Sequence, residues 1–160
     1  MIAGLNTQQL RLLVVRPTLL ELDLWSLAAE NLLIGTALQE SRCHYLKQLA
    51  GGPAVGIYEM EPASYDDIYA NFLTFQPDLR AKVNALATAP RSAEHMIWNL
   101  KYATAMARCQ YRRSKYALPA SEDALGLATM WKQVYNTPLG AGTVAEALPH
   151  FERAVQEGAR

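Results

Sequence analysis

Glu40 closes a mostly apolar helical stretch and is followed directly by Ser41; sixteen residues after Glu40 the chain runs Gly56-Ile57-Tyr58-Glu59-Met60-Glu61-Pro62-Ala63-Ser64. A carboxyl at the end of an apolar helix is poorly solvated, which raises its pKa and keeps it protonated near neutrality, the state a general acid needs. The negative end of the helix macrodipole falls at the same place, so a glutamate there runs against local electrostatics and is a candidate for function. An ordinary helix-end carboxylate is the plainer alternative. Gly56 can bring backbone close to a ligand, while Ile57 and Met60 could equally fill a core. Tyr135-Asn136 closes a later helical stretch and offers a phenol and an amide, groups suited to hydroxyls or an acetamido group. A C-cap asparagine before a turn is the simpler reading of that pair.

The elements that must position these residues are mostly helical in pattern. Asn6 to Val15 reads as a short amphipathic segment ended by Arg16-Pro17, because the residue before proline disfavours helix. Thr18 to Leu24 reads as a further turn or two. Ser26 is an N-cap for a helix through Gln39. Gly51-Gly52-Pro53 breaks the chain, and Val55 to Met60 reads as extended or irregular. Ser64 caps a helix to about Phe75, Pro77 opens another to about Thr88, and Ser92 to Arg113 forms the longest. Ser121 and Thr143 cap two more, Thr143 in a capping box with Glu146, and Asn136 to Gly142 between them forms a turn. The expectation is a mainly α single domain with little or no β-structure.

The 160 residues suffice to bury a core, and a composition 51% hydrophobic and 19% charged is that of a globular chain. Fifteen basic residues balance fifteen acidic ones, so no global field draws the chain to nucleic acid or an anionic membrane. Cys43 and Cys109 are expected as free thiols. No run is long enough to span a membrane. The apolar run Leu12-Leu13-Val14-Val15 sits between Arg11 and Arg16 without a cleavage site after it, which predicts synthesis in a cytoplasm without export by the usual signal route. His44, His95 and His150 are too scattered for a metal site, and the cysteines lack zinc spacing. Gly140-Ala141-Gly142 lacks the third glycine and the preceding strand of a dinucleotide loop. Arg108, Arg112, Arg113 and Lys115 form a basic cluster at the end of the long helix, in the first instance a solvated face.

Taken together, Glu40-Ser41, Gly56 to Ser64, Asn99 to Tyr111 and Tyr135-Asn136 resemble, in order, the lysozyme-like domain of the soluble lytic transglycosylases and, more distantly, goose-type lysozymes. That family has a helix ending in Glu-Ser, a Gly-Leu-Met-Gln-like segment with Met-Pro-Ala-Thr, an Asn-containing helix with Ala-x-x-Tyr-Leu character, and a Tyr-Asn near the end. The match runs from Ser26 to Leu148, with Glu59 standing where the family has glutamine. The resemblance implies a lysozyme-like domain over residues 26–160 behind an N-terminal helical extension, residues 1–25. It implies a lytic transglycosylase or muramidase that cleaves the β-1,4 bond between N-acetylmuramic acid and N-acetylglucosamine in peptidoglycan glycan strands. Glu40 would be the catalytic acid and Tyr135 its catalytic neighbour. Ser41, Gly56, Tyr58, Glu59, Met60 and Asn136 would bind substrate, with no metal and no cofactor. The context that fits is a bacteriophage protein, made in the host cytoplasm and carried in the virion to act in the periplasm or cell wall. Residues 1–25 would then dock on a virion or tail protein, or on a second copy; a helix packed on its own domain is an equal reading of the same apolar face. The competing expectation is a non-enzymatic phage structural protein that keeps the fold.

Overall fold

The computed structural model describes residues 4–160. In chain order the helices are α1 (residues 7–21), α2 (Leu27–Ser41), α3 (Pro62–Asn71), α4 (Pro77–Leu86), α5 (Leu100–Arg112), α6 (residues 124–136) and α7 (Val144–Gly158). Short 3-10 turns lie at Leu49–Gly51, Leu73–Phe75 and Ala93–Ile97. Among the described residues the only β-pairing is a pair of isolated bridges, Lys47 with Val55 and Val55 with Met60. The fold is mainly α, as its apolar periodicity requires.

Helix α2 runs through the middle of the core. Ser26 starts it by accepting a hydrogen bond from the Ala29 amide at 3.0 Å, and every residue from Ala29 to Leu38 is buried. A helix buried on all sides is packed on all sides, and its buried polar residues Glu30, Asn31 and Thr36 all find hydrogen-bond partners. On one side α7 approaches so closely that a Cβ on Gly35 would lie 2.3 Å from the Phe151 ring, so glycine is required there. Thr143 starts α7 with the expected capping box to Glu146. Arg42 ends α2 in the left-handed region at φ 57°, turning the chain sharply after Ser41.

Several boundaries differ from the pattern-based expectation. Helix α1 does not stop at Arg16-Pro17: a π-helical stretch, Arg11–Val15, widens the ladder, and Pro17 falls in the first turn of the α-helical segment Arg16–Glu21, where its missing N–H is no loss. Ser64 lies inside α3, which Pro62 opens after Glu61. The stretch from Ser92 is not one helix: Ser92 caps only the 3-10 turn, and Asn99 starts α5 anew by accepting from the Tyr102 amide at 3.0 Å. Asp123, not Ser121, caps α6.

The segment expected as an N-terminal extension is built into the same core. Its first three residues lie outside the described residues. Leu10, Val15, Leu19 and Leu22 are buried in the common cluster. Arg11, 1% exposed, donates to Glu30 at 2.7 Å, to Asn31 at 2.8 Å and to the Ala154 carbonyl at 2.7 Å. Arg16 forks onto Glu30 at 2.8 and 2.9 Å, which holds the residue before Pro17 in a helical conformation. The segment is therefore a structural helix that joins α2 and α7, the second of the two readings of its apolar face, with Leu12, Leu13 and Leu20 left exposed on its outer side.

Candidate active site

A cleft of about 480 Å³ opens where the end of α2, the 55–60 turn, α5 and the end of α6 meet. That volume lies in the range of small-molecule sites. Three carboxyls line it, Glu40, Glu59 and Glu61, together with the neutral donors and acceptors Gln48, Ser64, Gln110 and Asn136, and no basic side chain.

Glu40 sits in the last turn of α2, half-buried, and accepts a hydrogen bond at 2.7 Å from the indole N–H of Trp131 on α6. Burial, as the main cause, raises its pKa to about 7; the Trp131 hydrogen bond works against this, and the negative charge of Glu59 adds to it. The carboxyl therefore exchanges its proton near neutrality, where a general acid works best. Glu59 lines the same cleft, and burial raises its pKa too.

The 55–60 turn that carries Glu59 is a miniature hairpin. Val55 and Met60 exchange backbone hydrogen bonds of 2.9 and 3.1 Å. Gly56 has φ +79°, and a Cβ there would lie 2.7 Å from the Met96 carbonyl oxygen, so both conformation and space demand glycine. Three contacts fix the turn from three helices. Ser41 Oγ donates to the Ile57 carbonyl at 2.6 Å from α2. The Tyr58 hydroxyl pairs with Thr104 Oγ1 at 2.9 Å on α5. Tyr135 on α6 donates its phenol to the Tyr58 carbonyl at 2.8 Å. Glu59 itself has φ 45°, an uncommon conformation for a residue with a Cβ, and is held there by this frame.

The residues expected to bind substrate thus divide in two. Glu59, Met60 and Asn136 line the cleft. Ser41, Gly56 and Tyr58 are buried and lie outside the cleft lining, where they build the turn that carries Glu59 and Met60. Tyr135 lines the cleft with its ring stacked on Tyr111, centroids 5.4 Å apart. Burial and then the Glu40 charge push its phenol well above the usual range, and its proton is committed to Tyr58. That bond ties Tyr135 to the turn that carries Glu59. Asn136 accepts from Lys132 Nζ at 2.7 Å, and Lys132 also donates to the Gly140 carbonyl at 2.8 Å, which pins the turn at the rim of the cleft.

Trp131 was not singled out in the sequence. It lies one helical turn before Tyr135, so the spacing that put Tyr135 toward the cleft contained the signal. Gln48 and Gln110 carried none. Among the described residues no group of three or more His, Cys, Asp or Glu side chains is placed to hold a metal, and no helix is long and apolar enough to cross a membrane. No protein-family model, curated protein or solved structure matches the chain.

Proposed function

We propose that the protein cleaves peptidoglycan glycan strands as a lytic transglycosylase or muramidase, with Glu40 as the general acid. The observation that carries this reading is the half-buried Glu40 carboxyl in the cleft, with a pKa raised to about 7 and a fixed hydrogen bond from Trp131. Glu40 would protonate the oxygen of the β-1,4 bond as an oxocarbenium-like centre forms at the muramyl carbon. Its carboxylate would then take the proton of the muramyl 6-hydroxyl, whose oxygen closes the anhydro ring. Asn136, with its carbonyl held by Lys132, keeps its amide N–H₂ for an acetamido or hydroxyl oxygen.

Glu59 favours a second outcome at the same site. A carboxylate near Glu40 can take a proton from water, and the product would then be a reducing end rather than an anhydro ring. A zymogram on cell-wall material tests the activity itself: wild type clears the substrate and Glu40→Gln does not, at equal folded protein. No clearing by wild type returns the chain to the class of structural proteins.

A further inference from the structure

The geometry points to a binding site for a tetrahedral oxyanion of the phosphate class at the end of α5, formed by Arg108, Arg112, Ser114 and Tyr116. It stands independently of any reading of the cleft. Arg108 is 6% exposed, and its Nε is buried with no hydrogen-bond partner among the described residues. It takes part in none of the ion pairs among those residues. The buried Arg11 also leaves its Nε without a partner, but its terminal nitrogens are bonded to a carboxylate, an amide and a carbonyl, and Arg108 has no such counter-charge. A guanidinium cannot readily shed its charge, so a buried one without a counter-charge is costly to the fold and tends to mark a place where an anion belongs. Burial and then the neighbouring Arg112 charge push the Arg108 pKa down, as expected of a cation without a partner.

Arg108 lines a pocket of about 200 Å³ that also includes Arg112, Ser114 and Tyr116, with Tyr111 and Met130 among its apolar walls and no carboxylate in the lining. The Ser114 hydroxyl is a second buried polar atom without a partner, so two independent orphans converge on one pocket. The C-terminal end of a helix disfavours anions, so the guanidiniums rather than the helix must supply the attraction. Two guanidiniums from consecutive turns of α5 and two hydroxyls from the chain that leaves it offer more donors than the two oxygens of a planar carboxylate use. Three or four acceptor oxygens on a tetrahedral centre match that set.

The test is thermal melting of the full chain in inorganic phosphate and in chloride at matched pH and ionic strength, with calorimetric titration of phosphate beside it. The melting temperature of wild type should rise progressively with phosphate, because a ligand that binds only the folded state stabilises it. Arg108→Met should lose that rise, and in chloride it should melt no lower than wild type, since it no longer buries an unpaired charge. Ser114→Ala removes one hydroxyl at little risk to the fold and should weaken phosphate binding by roughly three- to tenfold. That variant carries the test should Arg108→Met fail to fold. Glycerol phosphate run beside the free ion separates the sources: equal or tighter binding of the ester points to a phosphorylated molecule, weaker binding to the ion. A wild type indifferent to phosphate, an Arg108→Met that keeps the full shift, a Ser114→Ala that binds as wild type, or acetate acting as well as phosphate would each overturn the proposal.

Discussion

Glu40 and Glu59 share a cleft, and after burial and the opposing Trp131 hydrogen bond the Glu59 charge adds to the rise in the Glu40 pKa. If protonated Glu40 is the acid, activity falls as pH rises through about 7. Glu59→Gln should move that alkaline edge to lower pH, because it removes a neighbouring negative charge. Trp131→Phe should move it to higher pH, because it removes the hydrogen bond that stabilises the carboxylate. Activity profiles of the two variants that shift in the same direction would contradict the electrostatics described. The same group sets a stability trend. Its pKa is about 7 in the folded chain against 4.5 for the free side chain, so between those values the native state holds a proton that the unfolded chain releases. Its contribution to stability therefore declines as pH rises across that window and stays low above it. Glu40→Gln keeps an oxygen for the Trp131 N–H and should remove the decline, a relative gain on the order of 3 kcal/mol at pH 8 over pH 4. Urea unfolding at the two pH values measures it; equal pH dependence in both proteins would count against the buried carboxyl. Glu40 was readable in the sequence because an apolar helix that ends in a carboxyl is a local pattern. For Trp131 only the face was readable, one turn before Tyr135; its meeting with Glu40 across 91 positions of chain was not.

At the scale of elements, the cleft depends on how tightly α2 and α7 pack, because α2 carries Glu40 and Phe151 of α7 lies against Trp131 with ring centroids 6.5 Å apart. Gly35→Ala would push a methyl into the Phe151 ring, and overpacking of this kind costs about 1–3 kcal/mol. Chemical denaturation should show that loss, with Glu40 function reduced through the displaced helix. A neutral Gly35→Ala would mean the two helices slide apart freely. Helix α2 and the capping box of α7 were legible because cap, apolar run and stop are all local. The continuation of α1 through Pro17 was not, because its cause is a π-helical stretch together with an arginine fork to Glu30, 14 residues on. The break before α5 was masked by helical apolar spacing on both sides of Asn99. Serines at positions 64 and 121 looked like caps, and the one at 92 like the start of the long helix. Only the one at 92 caps anything, and that is a short 3-10 turn.

For the whole molecule, the Arg11–Glu30–Arg16 group decides whether residues 1–25 are an addition or part of the domain. Glu30 is fully buried. Burial alone would raise its pKa, but hydrogen bonds from Arg16, Trp25 and Arg11 outweigh it and hold the carboxyl below its usual range. The stability this group contributes is therefore present above the ordinary carboxylate range and is lost as pH falls through the lowered value. Glu30→Gln leaves the buried Arg11 without its counter-charge and should cost about 3–5 kcal/mol. Deletion of residues 1–24 should leave α2 and α7 without their cover and yield a chain that does not fold. A truncated protein melting close to wild type would restore the idea of a separable extension. Nothing local in the sequence shows that Arg11 is buried, since its partners lie on α2 and α7; the apolar face of the segment was visible, but not what it faces.

On the proposed reading Glu40 delivers a proton to a glycosidic bond in peptidoglycan. Mass spectrometry of purified peptidoglycan after incubation with wild type and with Glu40→Gln tests it most directly. Wild type should release muropeptides ending in anhydro-muramic acid, or in reducing ends if Glu59 activates water. The folded Glu40→Gln protein should release roughly a hundred- to ten-thousand-fold less. Intact glycan strands after wild-type treatment, or the same fragments at the same rate from the variant, would contradict the account.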